Sequence, residues 1–454
     1  MLDVLANRTY RHLFLAQVVA LIGTGLLTVA LGLLAFRIAG KDAGAVLGTA
    51  LAIKMIAYVG IAPVAAAFTE RMPRRAMLVT LDLIRAAVAL LLPFISEVWH
   101  IYALIFVLQA ASAGFTPTFQ ATIPDVLPGE NDYTKALSLS RLAYDLESLL
   151  SPMLAAALLS VVSYNNLFVG TVVGFLGSAA LVMSVALPSP KPSVPRGIYD
   201  RTTRGLRIYL ATPRLRGLLA ISMATAAAGA LVFVNTVVFV QGVFGLGERM
   251  TALALAAFGG GSMLVALGLP KLLETQNDRK VMLAGAGVMV VATLLASLIP
   301  AYGWLLPVWF LLGAGYALAL TPSGRLLRQS AQAEDRPALF AAQFALSHAC
   351  WLITYPLAGW AGSKLGLPVT ALILAVIAVA AITAALRVWP AMETAQSITP
   401  IPNCHPIIRM SSPMREQSMP MRSSSTICIR LGRPRDNFRG VRSPFETGYV
   451  EYCP

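Results

Sequence analysis

The chain is patterned by long uninterrupted apolar runs, not by the short alternations of a soluble domain. A bilayer's hydrocarbon core is about 30 Å thick and a helix rises about 1.5 Å per residue, so about 20 consecutive apolar residues cross it. Residues 13–36 carry no charge and meet that length. They follow Arg8 and Arg11 and lack a small-residue cleavage site, so they read as a retained first span and not as a secretory signal. Residues 148–190 and 281–324 are uncharged for 43 and 44 positions and are broken at Tyr164-Asn165-Asn166 and at Pro300-Ala301-Tyr302-Gly303. Each run holds most of two antiparallel spans and a tight turn. Continued along the chain, the pattern predicts twelve transmembrane helices at 13–36, 45–69, 77–95, 100–122, 138–161, 167–187, 217–241, 250–270, 281–299, 303–322, 338–361 and 367–387. The expected class is an all-α polytopic membrane protein.

Composition agrees. Of 454 residues, 57% are apolar and 12% charged, against about 25% charged in soluble domains. Soluble enzymes, disordered chains and, with 4 cysteines, disulfide-rich secreted folds are disfavoured. The net charge of +14 would raise nucleic acid as a partner if it formed one patch. It does not. Nineteen basic residues fall on the side of the N terminus: Arg8, Arg11, Arg71, Arg74, Arg75, Lys135, Lys271, Arg279, Lys280, Arg325, Arg328 and Arg336, and Lys191, Arg196, Arg201, Arg204, Arg207, Arg214 and Arg216 in the central connection. Four, Arg37, Lys41, Arg249 and Lys364, fall opposite. That asymmetry predicts both termini in the cytoplasm, with the central connection a topogenic, lipid-facing linker and nucleic acid not a partner.

Two markers recur at nearly one offset. Glu70-Arg71 and Asp278-Arg279 are 208 positions apart, and the proline motifs Ser151-Pro152 and Tyr355-Pro356 are 204 apart. The recurrence predicts duplicated halves: six-helix bundles at 1–187 and 217–390, a basic linker at 188–216 and a tail at 391–454.

With these residues in view, the chain resembles the major facilitator superfamily over about 1–390. The segment Ala66-Ala67-Phe68-Thr69-Glu70-Arg71-Met72-Pro73-Arg74-Arg75 is similar to that family's motif A, with Glu70 for its acid, Arg71 and Arg74-Arg75 for its basic residues, and Ala66 and Pro73 in place of glycines. Pro117-Thr118-Phe119-Gln120-Ala121-Thr122-Ile123-Pro124 followed by Lys135-Ala136-Leu137 resembles the macrolide and siderophore exporter branch. Ser151, Pro152, Ala155 and Ala156 resemble the antiporter motif with its glycines replaced. The resemblance implies an exporter without enzymatic activity or cofactor, monomeric, in the inner (plasma) membrane, with two bundles rocking around a midplane site. The arginine that proton-coupled members carry in the fourth span is absent; Gln109 and Gln120 are the polar residues there. The coupling ion, proton or other, is therefore left open by the resemblance.

A charge near the bilayer centre is expensive, at least about 2.5–3.5 kcal/mol on insertion scales, and marks candidate function. Arg141, Asp145 and Glu147 lie in the fifth span. Arg141 and Asp145 are one turn apart and can neutralise each other. Glu147 points about 200° from Asp145, so the acids face different surroundings, and either can be the coupling carboxylate. Asp82 and Arg85 are spaced to form a structural pair in the third span. Lys54 near mid-membrane either snorkels outward or meets the fifth-span acids. Asp125 is expected to pair with Arg71 in a cytoplasmic gate built on Glu70, Arg71, Arg74 and Arg75. His348 reads as a proton relay, a soft-metal ligand with Cys350, or a packing histidine; residues two apart face different ways, against shared ligation. No metal-ligand spacing, Walker loop or nucleophile elbow occurs.

The tail at 391–454 holds Cys404, Cys428 and Cys453 and lacks helical periodicity. It reads either as a disordered cytoplasmic segment or as a product of a shifted frame. A two-base shift lets each Ile or Met codon end a triplet for His, Asp, Asn or Tyr, so that 405–410 and 426–432 spell Asp/His-rich runs. Such tails are similar to those of nickel-resistance exporters, and their ligands suit a borderline divalent cation. The first expectation is thus efflux of a toxic cation such as nickel, helped by an aromatic content of 8%, low for an organic-cation cavity. The others are an organic solute of the multidrug or siderophore type, and a non-transporting sensor or assembly partner. The nucleotides across codons 390–436 decide the frame: codons unable to spell those runs end that reading.

Overall fold

A computed structural model of the chain describes residues 2–39, 43–68, 72–159, 161, 163–189 and 197–389, and the backbone of 427–428 and 451–452. The apolar runs form helices because lipid offers backbone groups no hydrogen-bond partner, so each segment must satisfy its own. The first six are α1 (Arg8–Ala39), α2 (Ala43–Phe68), α3 (Arg74–Leu91), α4 (Val98–Val126), α5 (Glu130–Leu159) and α6 (Asn165–Met183). A shorter α7 (Ile198–Ala211) follows. Then come α8 (Pro213–Val237), α9 (Glu248–Thr275), α10 (Asp278–Ala296), α11 (Tyr302–Leu320), the one-to-two-turn α12 (Ser323–Gln329), α13 (Arg336–Leu365) and α14 (Leu367–Val388). Among the described residues ten helices are long and apolar enough to cross a membrane, and Ala52–Phe68 within α2 is a shorter apolar one.

The twelve long helices pack as a duplicated set. In the first half α1 packs on α5 and α6, α3 on α4 and α6, and α2 on α4. The same pairings recur six long helices later: α8 on α13 and α14, α10 on α11 and α14, and α9 on α11. Across the halves α5 meets α9 and α2 meets α13, again a symmetric pair. Residues 1–393 make one compact unit. In the second unit, Thr394–Pro454, Ile427–Cys428 pairs antiparallel with Glu451–Tyr452; the rest of the tail, including 405–410 and the remainder of 426–432, lies outside the described residues.

Two elements depart from the twelve-span outline. The linker contains α7, which is amphipathic and carries Asp200 with Arg204 and Arg207 one and two turns on. Arg204 donates to Asp335 through Nε (2.6 Å) and an Nη (2.9 Å), tying α7 to the start of α13. Gly205 completes that junction, since a Cβ there would stand 2.0 Å from the Ala338 carbonyl oxygen. The fifth helix begins at Glu130, eight residues before the predicted span, because its first turns are helical but polar.

Close helix crossings rest on small residues, as packing in lipid requires. In the second half a Cβ on Gly313 would lie 1.8 Å from the Phe258 carbonyl oxygen, and one on Gly261 would lie 2.0 Å from that of Phe310. Gly313→Ala is expected to lower stability by about 1–3 kcal/mol through overpacking. Gly287→Ala, where a Cβ meets nothing within 4 Å, is the matched control. Thermal unfolding of the purified protein checks the difference, and equal melting of the two variants would refute the role given to this crossing.

Candidate functional site

The site begins at the basic face, the end of the bundle that carries the N terminus and the α4–α5 turn. Asp125, at the last turn of α4, accepts from Arg74 at the start of α3 and from Arg336 at the start of α13. Arg74 is 1% exposed. It also donates to the carbonyls of Ala121 (3.2 Å) and Ala333 (3.4 Å), the second of these in the other half. One carboxylate thus holds guanidinium groups from both halves. Arg325 of α12 makes a second tie: it donates to Thr134 Oγ1 (2.7 Å) and to Glu130, and its Nε lies 3.0 Å from Asp278. Arg328 donates to the Pro128 carbonyl and covers the Tyr133 ring at 5.4 Å.

Deeper in the bundle, α5 carries its charges on two faces. Arg141 and Asp145 form an ion pair, and Arg141 Nε also donates to Ser262 Oγ of α9 at 2.9 Å. The Arg141 guanidinium lies 4.5 Å from the Tyr316 ring centroid, so the pair faces the other half. Asp145 is buried, whereas Glu147 is half-buried and lines a cavity in the first half.

That cavity, of about 530 Å³, is walled by α1 to α5; Lys54, Arg85 and Glu147 are its charged lining residues. Ligand pockets run to about 300–1,000 Å³, so it can hold a small organic molecule. Lys54 Nζ sits 5.5 Å from the Tyr58 ring centroid. A second cavity of about 420 Å³ lies between the halves, with Arg141, Tyr316, Gln343, His348 and Trp351 in its wall. Tyr58, Thr116 and Tyr144 line both cavities.

The other predicted residues take these places. Asp82 is fully buried and pairs with Arg85, and Ser178 of α6 donates to it at 2.7 Å. His348 bonds through Nδ1 to the Phe344 carbonyl at 2.7 Å and packs edge-on to Tyr58 at 4.7 Å. Cys350 donates to the Leu346 carbonyl. Each thus bonds back to its own helix, and among the described residues no group of three His, Cys, Asp or Glu is placed to hold a metal ion. Arg75 is exposed at the start of α3, and Ala155 is buried in α5. Glu70 and Arg71, the expected partner of Asp125, lie outside the described residues, as do the side chains of Ser151, Pro152 and Ala156.

The sequence alone does not reveal Arg336 as a partner of Asp125, Ser262 and Tyr316 as partners of Arg141, or Tyr58 as a wall of both cavities. Arg336 and the Ser262 position carry no local signal, because each meets its partner across more than a hundred residues. Asp125→Ala leaves Arg74 and Arg336 facing each other without a counter-charge. Breaking such a buried pair is expected to lower stability by about 3–5 kcal/mol. Thermal unfolding should show Asp125→Ala far below Arg75→Ala, and parity between them would remove Asp125 from this role.

Comparison with known proteins fits this architecture. The chain is 27% identical over 178 residues to macrolide efflux protein A of Streptococcus pyogenes, covering 38% of this chain and 43% of that protein. It is 26% identical over 152 residues to macrolide efflux protein A of Enterococcus faecalis, covering 31% and 47%. The matches thus span less than half the length of these curated relatives. Among solved structures, the human organic anion transporter MFSD10 (TETRAN) superposes with a TM-score of 0.71 at 12% identity, covering 83% of this chain and 99% of that one. The E. coli fucose:proton symporter FucP superposes with 0.67 at 14%, covering 83% and 97%. At those identities the likeness is one of fold. Residues 13–277, more than half of the chain, match the Major Facilitator Superfamily, and the chain belongs to that family.

Proposed function

We propose that this protein is a secondary active exporter that moves an amphiphilic organic solute outward by alternating access, with its basic face in the cytoplasm. The observation that carries the reading is the pair of cavities meeting at Tyr58, Thr116 and Tyr144 in the middle of the bundle. Their walls hold aromatic side chains on several helices, including Phe115, Phe119, Tyr316 and Trp351. The efflux proteins to which the chain is similar in sequence support the direction and the class of solute. The nineteen-to-four distribution of basic residues supports the orientation, and with it a location in the inner membrane with cytoplasmic termini.

Glu147 is the coupling acid in this reading, because it stands on the wall of the solute cavity, where it can take up and release a proton. The Arg141–Asp145 pair then holds α5 against α9 and Tyr316, and parts when the halves rock. Closure of the basic face by Asp125, Arg74, Arg336 and Arg325 leaves the opposite side as the route of release. Nickel is the other cargo to test; that idea rests on the tail.

Everted vesicles energised with an inside-acid pH gradient test the whole reading. Uptake of lipophilic dyes is expected, with Ni²⁺ uptake measured in parallel. Glu147→Gln should lower gradient-driven uptake at least about tenfold, the factor set by a 1.4 kcal/mol change in driving interaction. Ni²⁺ uptake without dye uptake would return the metal reading. Wild-type rates in both Glu147→Gln and Asp145→Asn would overturn proton coupling through α5.

A further inference from the structure

The third-span ion pair does more than hold helices together. Arg85 is 5% exposed and packs against two rings, its guanidinium lying 4.0 Å from the Phe115 ring centroid and 4.5 Å from that of Phe175. One edge is taken by Asp82, which is itself fixed by Ser178. A guanidinium has five N–H donors in a rigid plane. Here the Nε–H has no hydrogen-bond partner, although it is buried, and Arg85 lines the cavity. A buried donor left unsatisfied is unfavourable and calls for an explanation, and Arg85 stands on a cavity wall where an acceptor can be supplied.

The surroundings favour an anionic acceptor. Asp82 offsets the formal charge of Arg85 but is 0% exposed and absent from the cavity wall. The wall itself presents two cations, Lys54 and Arg85, against one acid, Glu147. Aromatic and aliphatic side chains, Tyr58, Phe115, Phe119 and Leu108 among them, supply an apolar surface beside the cations. Planar donors of arginine match a carboxylate better than a point charge does.

We propose that the cavity of the first half selects amphiphiles with an anionic head, and that Arg85, held rigid by Asp82, Phe115 and Phe175, is the residue that recognises that head. The proposal rests on reading the cavity as the solute site. The apolar body lies along the aromatic wall, Lys54 adds a second, mobile cation, and Asp82 orients Arg85 without touching the ligand.

The test uses the full-length protein in nanodiscs of zwitterionic lipid, with dansyl-labelled undecanoic acid and its methyl ester as probes. The two differ at the head alone. The wild type is expected to bind the acid at least about tenfold more tightly than the ester. Replacing Arg85 alone would strand a buried carboxylate, so the variant is the double substitution Asp82→Asn with Arg85→Gln, which removes both charges and keeps polar side chains. It is expected to erase the acid-over-ester ratio, whereas Asp82→Asn alone, which leaves Arg85 in place, is expected to keep it. A wild type that binds both probes equally, or a double variant that keeps the ratio, overturns the proposal. The vesicle assay separates this from the transport reading. Preference without gradient-driven uptake would sink the exporter and leave the recognition site, whereas uptake without preference would sink the recognition site alone.

Discussion

A carboxylate buried between two halves of a membrane protein has to be neutralised on the spot, and Asp125 meets that requirement with one guanidinium from each half. The consequence reaches beyond the pair. Arg74 stands at the start of α3, Asp125 at the end of α4 and Arg336 at the start of α13, so three helix ends share one charge balance. Any motion that parts α4 from α13 must undo the Arg336 contact and leave Arg74 as the sole partner. Parting them is costly, because a guanidinium taken from its carboxylate keeps its desolvation penalty without the attraction. The same logic governs Arg325, whose partners Glu130 and Thr134 lie on α5 while Arg325 itself lies on α12. Electrostatics therefore ties the two halves together at the basic face.

The helix pairings repeat between the halves, but the chemistry does not. Lys54, Asp82, Arg85, Arg141, Asp145 and Glu147 all belong to helices of the first half, whereas the charged residues of the second half stand at or near its helix ends. The second half instead contributes the largest continuous core, including Trp309, whose indole N–H donates to Thr236 at 2.8 Å. A duplicated fold has thus been divided between a packed half and a half with intramembrane charges. Contacts such as Arg141 to Ser262 and Tyr316 cross from the second kind to the first.

The outline of the fold was legible in the sequence because its cause is local. Apolar runs of the right length announce themselves one at a time, and most of the basic residues fall on one side of them. What was hidden depended on distant partners. The linker helix α7 is short and polar, and it is tied to α13 by Arg204 and by the close approach at Gly205, neither of which shows in 198–211 alone. The i,i+4 pairing of Arg141 with Asp145 could be read from spacing, as could the divergence of Glu147; that Asp145 is buried and Glu147 on a cavity wall could not. Aromatic content is silent on position for the same reason. Eight per cent of the chain is few, yet the cavities gather Tyr58, Phe115, Phe119, Tyr144, Tyr316 and Trp351, and a percentage carries no information about position.

Tyr58 shows how much one such position can connect. Its ring faces the Lys54 ammonium on one turn of α2 and meets Phe344 and His348 of α13 across the bundle, and it lines both cavities. A ring over an ammonium lowers the penalty of keeping that charge away from water. A ring against an imidazole packed on its own helix carbonyl limits where the imidazole can turn. Tyr58 therefore couples a cation of the first half to a polar residue of the second without any hydrogen bond. If α2 and α13 separate, Lys54 keeps its ring while His348 loses one wall of its pocket, so the second cavity, which spans both helices, is opened by that motion.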